Sequence, residues 1–164
     1  MLQVAGIGNT VIGQFTTVCN FTAGTVNESC TRTPRVSIGI GAGGVLTASI
    51  PENTFAGFGN DIYVHHPSIA IDTALRSGST WEFNGDNFRL SSAAMIKNVN
   101  AGWTGVQTYA PGSCSYAGGG TFRSGDYSGA QLDPSLFGFW LAGEQAVTLS
   151  GSCQWQTRIA RLTP

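Results

Sequence analysis

The segment Trp81-Glu82-Phe83-Asn84-Gly85-Asp86-Asn87-Phe88-Arg89-Leu90 constrains the fold more than any other stretch of this chain. Two runs of alternating apolar and polar residues flank Asn84-Gly85, a dipeptide suited to the positive φ angles of a type I′ turn, so the segment predicts a β-hairpin. A two-residue loop there opposes Trp81 and Phe88. It places Trp81, Phe83, Phe88 and Leu90 on a core-facing side and Glu82, Asn87 and Arg89 on an outer side, with Glu82 beside an exposed cross-strand partner. Trp81 is then a packing residue rather than a ligand-stacking one.

The same alternation recurs elsewhere. Cys153 to Leu162 puts Cys153, Trp155, Thr157 and Ile159 on one side of a long final strand. Further strands are predicted at Val11 to Cys19, Arg35 to Ile40, Val45 to Ile50, Asp61 to His66, Ala93 to Val99, Trp103 to Tyr109, Phe137 to Leu141 and Ala146 to Leu149. Helical periodicity is weak, with room for a turn or two at Ser68 to Ser77. Pro111 to Ser135 reads as one long irregular segment, with several glycines and the Asp133-Pro134 turn signal. Short strands punctuated by Gly, Pro and Asn predict an all-β fold, an antiparallel β-sandwich or jelly roll with long loops. At 164 residues the expectation is a single domain over 1–164.

Cys19, Cys30, Cys114 and Cys153 form no Cys-x-x-Cys pair and have no neighbouring His, so zinc is a poor fit. Cys19 and Cys30 bracket a polar loop whose ends can meet as adjacent strands. The expected disulfides are therefore Cys19–Cys30 and Cys114–Cys153, and they point to an oxidising compartment. Asn20-Phe21-Thr22 and Asn27-Glu28-Ser29 match the glycosylation acceptor pattern, which is short enough to arise by chance. The residues after Met1 lack the basic start and continuous apolar run of a secretory signal, so export is argued from cysteines and composition alone.

Composition excludes several functions. Eight basic and nine acidic residues leave a net charge of -1, and Lys97 is the sole lysine, so nucleic-acid binding is not expected. No apolar run approaches the length of a membrane-spanning helix, so no membrane insertion of that kind is expected. Neither Gly39-Ile40-Gly41-Ala42-Gly43-Gly44 nor Gly118-Gly119-Gly120 precedes a helix or a Gly-Lys-Ser/Thr, so no phosphate-cradling loop is predicted. His65 and His66, the only histidines, are adjacent on a predicted strand and should point to opposite faces, which keeps both out of one site. No G-x-S-x-G elbow or paired-carboxylate pattern stands out, and no catalytic residue, metal or cofactor is expected.

A binding surface of aromatic and polar loop residues remains. Tyr116, Arg123, Asp126 and Tyr127 are the first candidates, and Asn60, Asp61 and Tyr63, beside Phe55-Ala56-Gly57-Phe58-Gly59, the second. The functional expectation is an extracellular or cell-surface, noncatalytic, adhesin- or lectin-like domain that recognises a glycan or surface receptor and can be attached to a larger surface assembly. The alternatives are a structural subunit of a virion, pilus or spore surface, and a secreted hydrolase.

Overall fold

The computed structural model describes residues 2–21, 28–99, 101–115, 128–135 and 137–164. Three antiparallel sheets hold most of them. The first is a meander of β1 (Leu2–Ile7), β2 (Thr10–Cys19), β3 (Glu28–Ile40) and β4 (Leu46–Ala56). The second is a meander of β5 (Ile62–Ile71), β6 (Ser77–Gly85), β7 (Phe88–Lys97) and β8 (Gln107–Ala110). In the third, β10 (Phe139–Leu149) lies between β9 (Gly129–Leu132) and β11 (Ser152–Leu162). Of the two expected architectures the sandwich is the one seen, because described strands pair with sequence neighbours and the Greek-key crossings of a jelly roll are not among them.

The second sheet is the middle layer. On one face Ala70, Ala94 and Ile96 pack against Phe139, Leu141 and Leu162 of the third sheet. The glycine at 78 makes this contact possible, since a Cβ there would run into the Phe139 ring. On the other face Ile69 and Ile71 pack against Ile12 of the first sheet, while Val64, Trp81, Phe83 and Ala93 close a cluster capped by Phe58. A sheet covered on both sides buries consecutive residues, and Ser77 to Phe83 are all buried. Glu82 is therefore fully buried rather than exposed on an outer face.

The hairpin exists, but its turn is displaced. Asp86-Asn87 form the loop, Gly85 pairs with Phe88 and Trp81 pairs with Ala93. A bulge between Phe83 and Gly85 shifts the register, and Phe88 is half-exposed. Leu90 precedes Ser91, the partner of Phe83, and so falls on the face opposite Trp81. Gly85 is needed for another reason: a Cβ there would strike the Asp61 carbonyl, which accepts a hydrogen bond from the Asp86 amide at 3.3 Å.

Other boundaries also move. Ser68 to Ile71 continue β5 instead of entering a helical turn, and β9 lies inside the segment expected to be irregular. The two predicted strands at Phe137 to Leu141 and Ala146 to Leu149 are one strand, β10, and Leu2–Ile7 is a strand the alternation did not single out.

Buried polar groups bridge the first and second sheets. The Gln14 side chain donates to Thr33 at 3.1 Å and accepts from Ser79 Oγ at 2.7 Å. Glu52 on β4 accepts from Arg35 at 2.6 Å and from Lys97 Nζ, on β7, at 2.8 Å. Arg35 also reaches the Leu75 carbonyl, and Lys97 the Ala101 carbonyl. Burial pushes the Glu52 carboxyl upward, but the Lys97 hydrogen bond and the charges of Arg35 and Lys97 outweigh it and hold the group below its ordinary 4.5.

Both expected disulfides are present, each with a Cα–Cα distance of 5.8 Å. Cys19–Cys30 joins β2 to β3, and Cys114–Cys153 ties the segment after β8 to the start of β11. The chain-entropy relation predicts that Cys114→Ser/Cys153→Ser lowers the unfolding free energy by about 4 kcal/mol and Cys19→Ser/Cys30→Ser by about 3 kcal/mol. Urea titrations check the order. Because the Glu52 carboxyl is lowered in the folded state, its stabilisation is complete above its ordinary 4.5 and is lost as pH falls through the folded value. Lys97→Met should therefore be most destabilising near neutrality, with its difference from wild type narrowing below pH 4.5 in thermal melts.

Candidate functional site

Tyr116, Arg123, Asp126 and Tyr127 lie outside the described residues. Asn60 and Asp61 sit in the exposed turn that enters β5. Asp61 has φ 61° and its backbone is used structurally: the amide donates to the buried Glu28 carboxylate at 2.7 Å, and the carbonyl receives Asp86. Tyr63 is half-buried on β5 opposite Asn84. Of the neighbouring phenylalanines, Phe58 packs on Trp81 and Phe83 with ring centroids 6.0 and 4.6 Å away, whereas Phe55 is exposed beneath the Arg32 guanidinium.

A groove of about 270 Å³ lies on the outward face of the third sheet. The register of β9, β10 and β11 explains it. Trp140 opposes Gln131 on one side and Arg161 on the other, and Ala142 opposes Gly129 and Ile159, so all six share one face. Gly129 and Ala142 form a low floor, while Trp140 and Ile159 stand above it and are exposed by 43% and 71%. The four tryptophans divide accordingly: the buried Trp81 meets the partly buried Trp103 edge to face at 6.5 Å, whereas Trp140 and Trp155 present indoles to solvent.

Polar groups next to the groove are held in place. Arg161 Nε donates to Asp133 Oδ2 at 2.5 Å and its Nη2 donates to Ser135 Oγ at 3.2 Å. The Ser135 amide in turn donates to Asp133 Oδ1 at 2.8 Å. Hydrogen bonds from Ser135, backbone first, and then the Arg161 guanidinium hold the Asp133 carboxyl below its usual range. Arg161 is thus oriented before any ligand arrives, with the Gln131 amide across the Trp140 ring from it.

A second constellation overturns an expectation. His65 and His66 do enter one site. The β5–β6 pairing shifts by one residue between His65 and Ser68, and His66 adopts φ 46°, which turns both rings toward Glu82. The two Nδ1 atoms are 3.2 Å apart and lie 3.5 and 3.0 Å from Glu82 Oε2. His65 Nε2 lies 3.3 Å from Asn84 Oδ1. The His66 carbonyl accepts a hydrogen bond from Ser128 Oγ, the residue that leads into β9. Both imidazoles are about a quarter exposed, whereas Glu82 is sealed and its Oε1 has no hydrogen-bond partner among the described residues. Among those residues, this is the one group of three His, Cys, Asp or Glu side chains with ligand atoms close enough to share a metal ion.

Neither feature followed from strict alternation. Trp140, Trp155 and Ile159 were visible as apolar residues on predicted strands, but which face is outward depends on the middle sheet being covered by two others. For the histidines a signal did exist. The apolar phase changes from Val64 to Ile69 and Ile71, with Pro67, which has no N–H for a ladder, between them.

No family model, curated protein or solved structure matches this chain.

Proposed function

We propose that the chain is an extracellular, noncatalytic binding module of adhesin or lectin-like type whose recognition surface is the groove between Trp140 and Ile159. The observation that carries this reading is the outward indole of Trp140 over a Gly129–Ala142 floor, flanked by Gln131 and the oriented Arg161. A sugar ring has an apolar face that stacks on a flat aromatic and an edge of hydroxyls that needs fixed donors and acceptors. Gln131 offers both, and Arg161 offers donors without needing to be ordered on binding. Two disulfides and a low charge accord with an exported module.

One observation favours a second reading, a subunit of a surface assembly. Ile40, Leu46 and Ile50, at the far end of the β3–β4 ribbon, are exposed by 79%, 73% and 63%, and Leu46 to Pro51 are exposed throughout. Exposed apolar residues in one place commonly mark a contact surface.

Glycan-array screening followed by calorimetry on the best ligand separates the two readings. Trp140→Ala is expected to weaken glycan binding at least about tenfold, or about 1.4 kcal/mol, while leaving the thermal midpoint nearly unchanged. Binding that survives Trp140→Ala but is lost with Tyr116→Ala or Tyr127→Ala moves the site to the segment before β9. An empty array, with oligomers in sedimentation that dissolve on Leu46→Ser, establishes the assembly reading instead.

A further inference from the structure

We infer that His65, His66 and Glu82 form a binding site for one divalent transition-metal ion of the zinc class. The site is separate from the glycan-binding reading and does not depend on it.

The spacing of the three ligand atoms suits such an ion. Four ligands about 2.0–2.1 Å from a tetrahedral ion are separated from one another by about 3.3 Å. The three atoms His65 Nδ1, His66 Nδ1 and Glu82 Oε2 are separated by 3.2, 3.5 and 3.0 Å. A single point about 2.0 Å from all three atoms therefore exists just off their plane. Three ligands on one side leave the fourth position to water, and the partial exposure of both imidazoles provides the entry path.

Protonation supports the same assignment. Asn84 Oδ1 can only accept, so the contact with His65 Nε2 makes that nitrogen the donor and leaves Nδ1 of the neutral ring with its lone pair. This is the outer contact that commonly fixes the tautomer of a metal-bound histidine. His65 Nδ1 and Glu82 Oε2 then present two acceptors to His66 Nδ1, and one proton on His66 has to serve both. A cation at the shared point satisfies all three atoms.

Burial adds a separate reason. Glu82 is completely enclosed, its Oε1 lacks a hydrogen-bond donor, and no Lys or Arg pairs with it among the described residues. A buried carboxylate without a compensating charge is costly, and a dication supplies that charge. Two imidazoles and one carboxylate suit zinc and its transition-metal neighbours better than calcium or magnesium, which take oxygen ligands. The one-residue bulge is what allows adjacent residues of a strand to bind the same ion.

The test uses the tag-free full chain stripped with a chelator, in which His65 and His66 are the only histidines. Calorimetry with Zn²⁺ alone should give one equivalent of binding, and Co²⁺ should give the intense visible bands of a tetrahedral site. His65→Ala and His66→Ala should each weaken binding by about a hundredfold or more, and Asn84→Ala by about ten- to a hundredfold. Proton NMR of the wild type provides a measurement that needs no variant: both histidine rings should shift together at one equivalent of Zn²⁺. Absence of binding with excess metal, binding that survives either histidine substitution, or a shift of only one ring overturns the inference.

Discussion

The bulge in β5 is the constraint on which the other features depend. Val64 packs toward Trp81 and Phe83 on the first-sheet side of the middle layer. Five residues later, on the opposite parity, Ile69 and Ile71 must face that same side to meet Ile12. A strand of strict period two cannot do both. Adding one residue between His65 and Ser68 restores the phase, and Pro67 falls where a missing N–H costs no ladder hydrogen bond. The bulge brings His65 and His66 onto Glu82, and it leaves Ala70, a small residue, facing the large rings and branches of the third sheet.

A middle sheet covered on both sides has few ways to keep polar groups, and several of those near it take a partner across layers. Gln14 reaches Ser79, Glu52 reaches Lys97 and Ser92 donates to the Glu144 carbonyl at 2.6 Å, while within the middle sheet the Thr80 and Tyr109 hydroxyls meet at 2.8 Å. Such bonds add little net stability individually, but leaving one member unpaired costs more, so together they oppose sliding of one layer over the next. Burial is also the leading reason the Tyr109 hydroxyl is held above its ordinary range, with the Glu82 charge adding to it. The disulfides act at the margins, where β2 meets β3 and where β11 begins, outside these layers of contact.

The fold is legible in the sequence where its determinants are local. The β6–β7 hairpin, the β2 and β11 strands and the Cys19–Cys30 pairing depend on alternation, turn residues and a short closure, all readable from neighbouring positions, whereas Cys114–Cys153 spans 39 residues and is the pair that Cys19–Cys30 leaves. The turn was misplaced by two residues because Gly85 serves the approach of Asp61, a tertiary contact, instead of a positive φ. Glu82 is buried for a similar reason, since a polar residue on the face opposite Trp81 reads as solvent-facing until the third sheet covers it. The strand β9, Gly-Ala-Gln-Leu, has no β-branched residue, and its pairing with β10 alone makes it a strand. The groove depends on that pairing, so it could not be located before the topology was known.

The groove and the histidine cluster lie on opposite sides of the third sheet but are mechanically close. Ser128 donates to the His66 carbonyl, and the next residue, Gly129, is part of the groove floor. The start of β9 is thus pinned to the bulge on one side and supports the Trp140 wall on the other, with no intervening element. A group bound at His65, His66 and Glu82 would hold the bulge in the conformation that accepts the Ser128 hydroxyl. A ligand seated on Gly129 would hold Ser128 where it reaches His66. Any coupling between the two sites through this contact must act equally in both directions, because it is one free energy seen from two ends. The extra residue that corrects the phase of β5 therefore also joins the interior cluster to the exposed face.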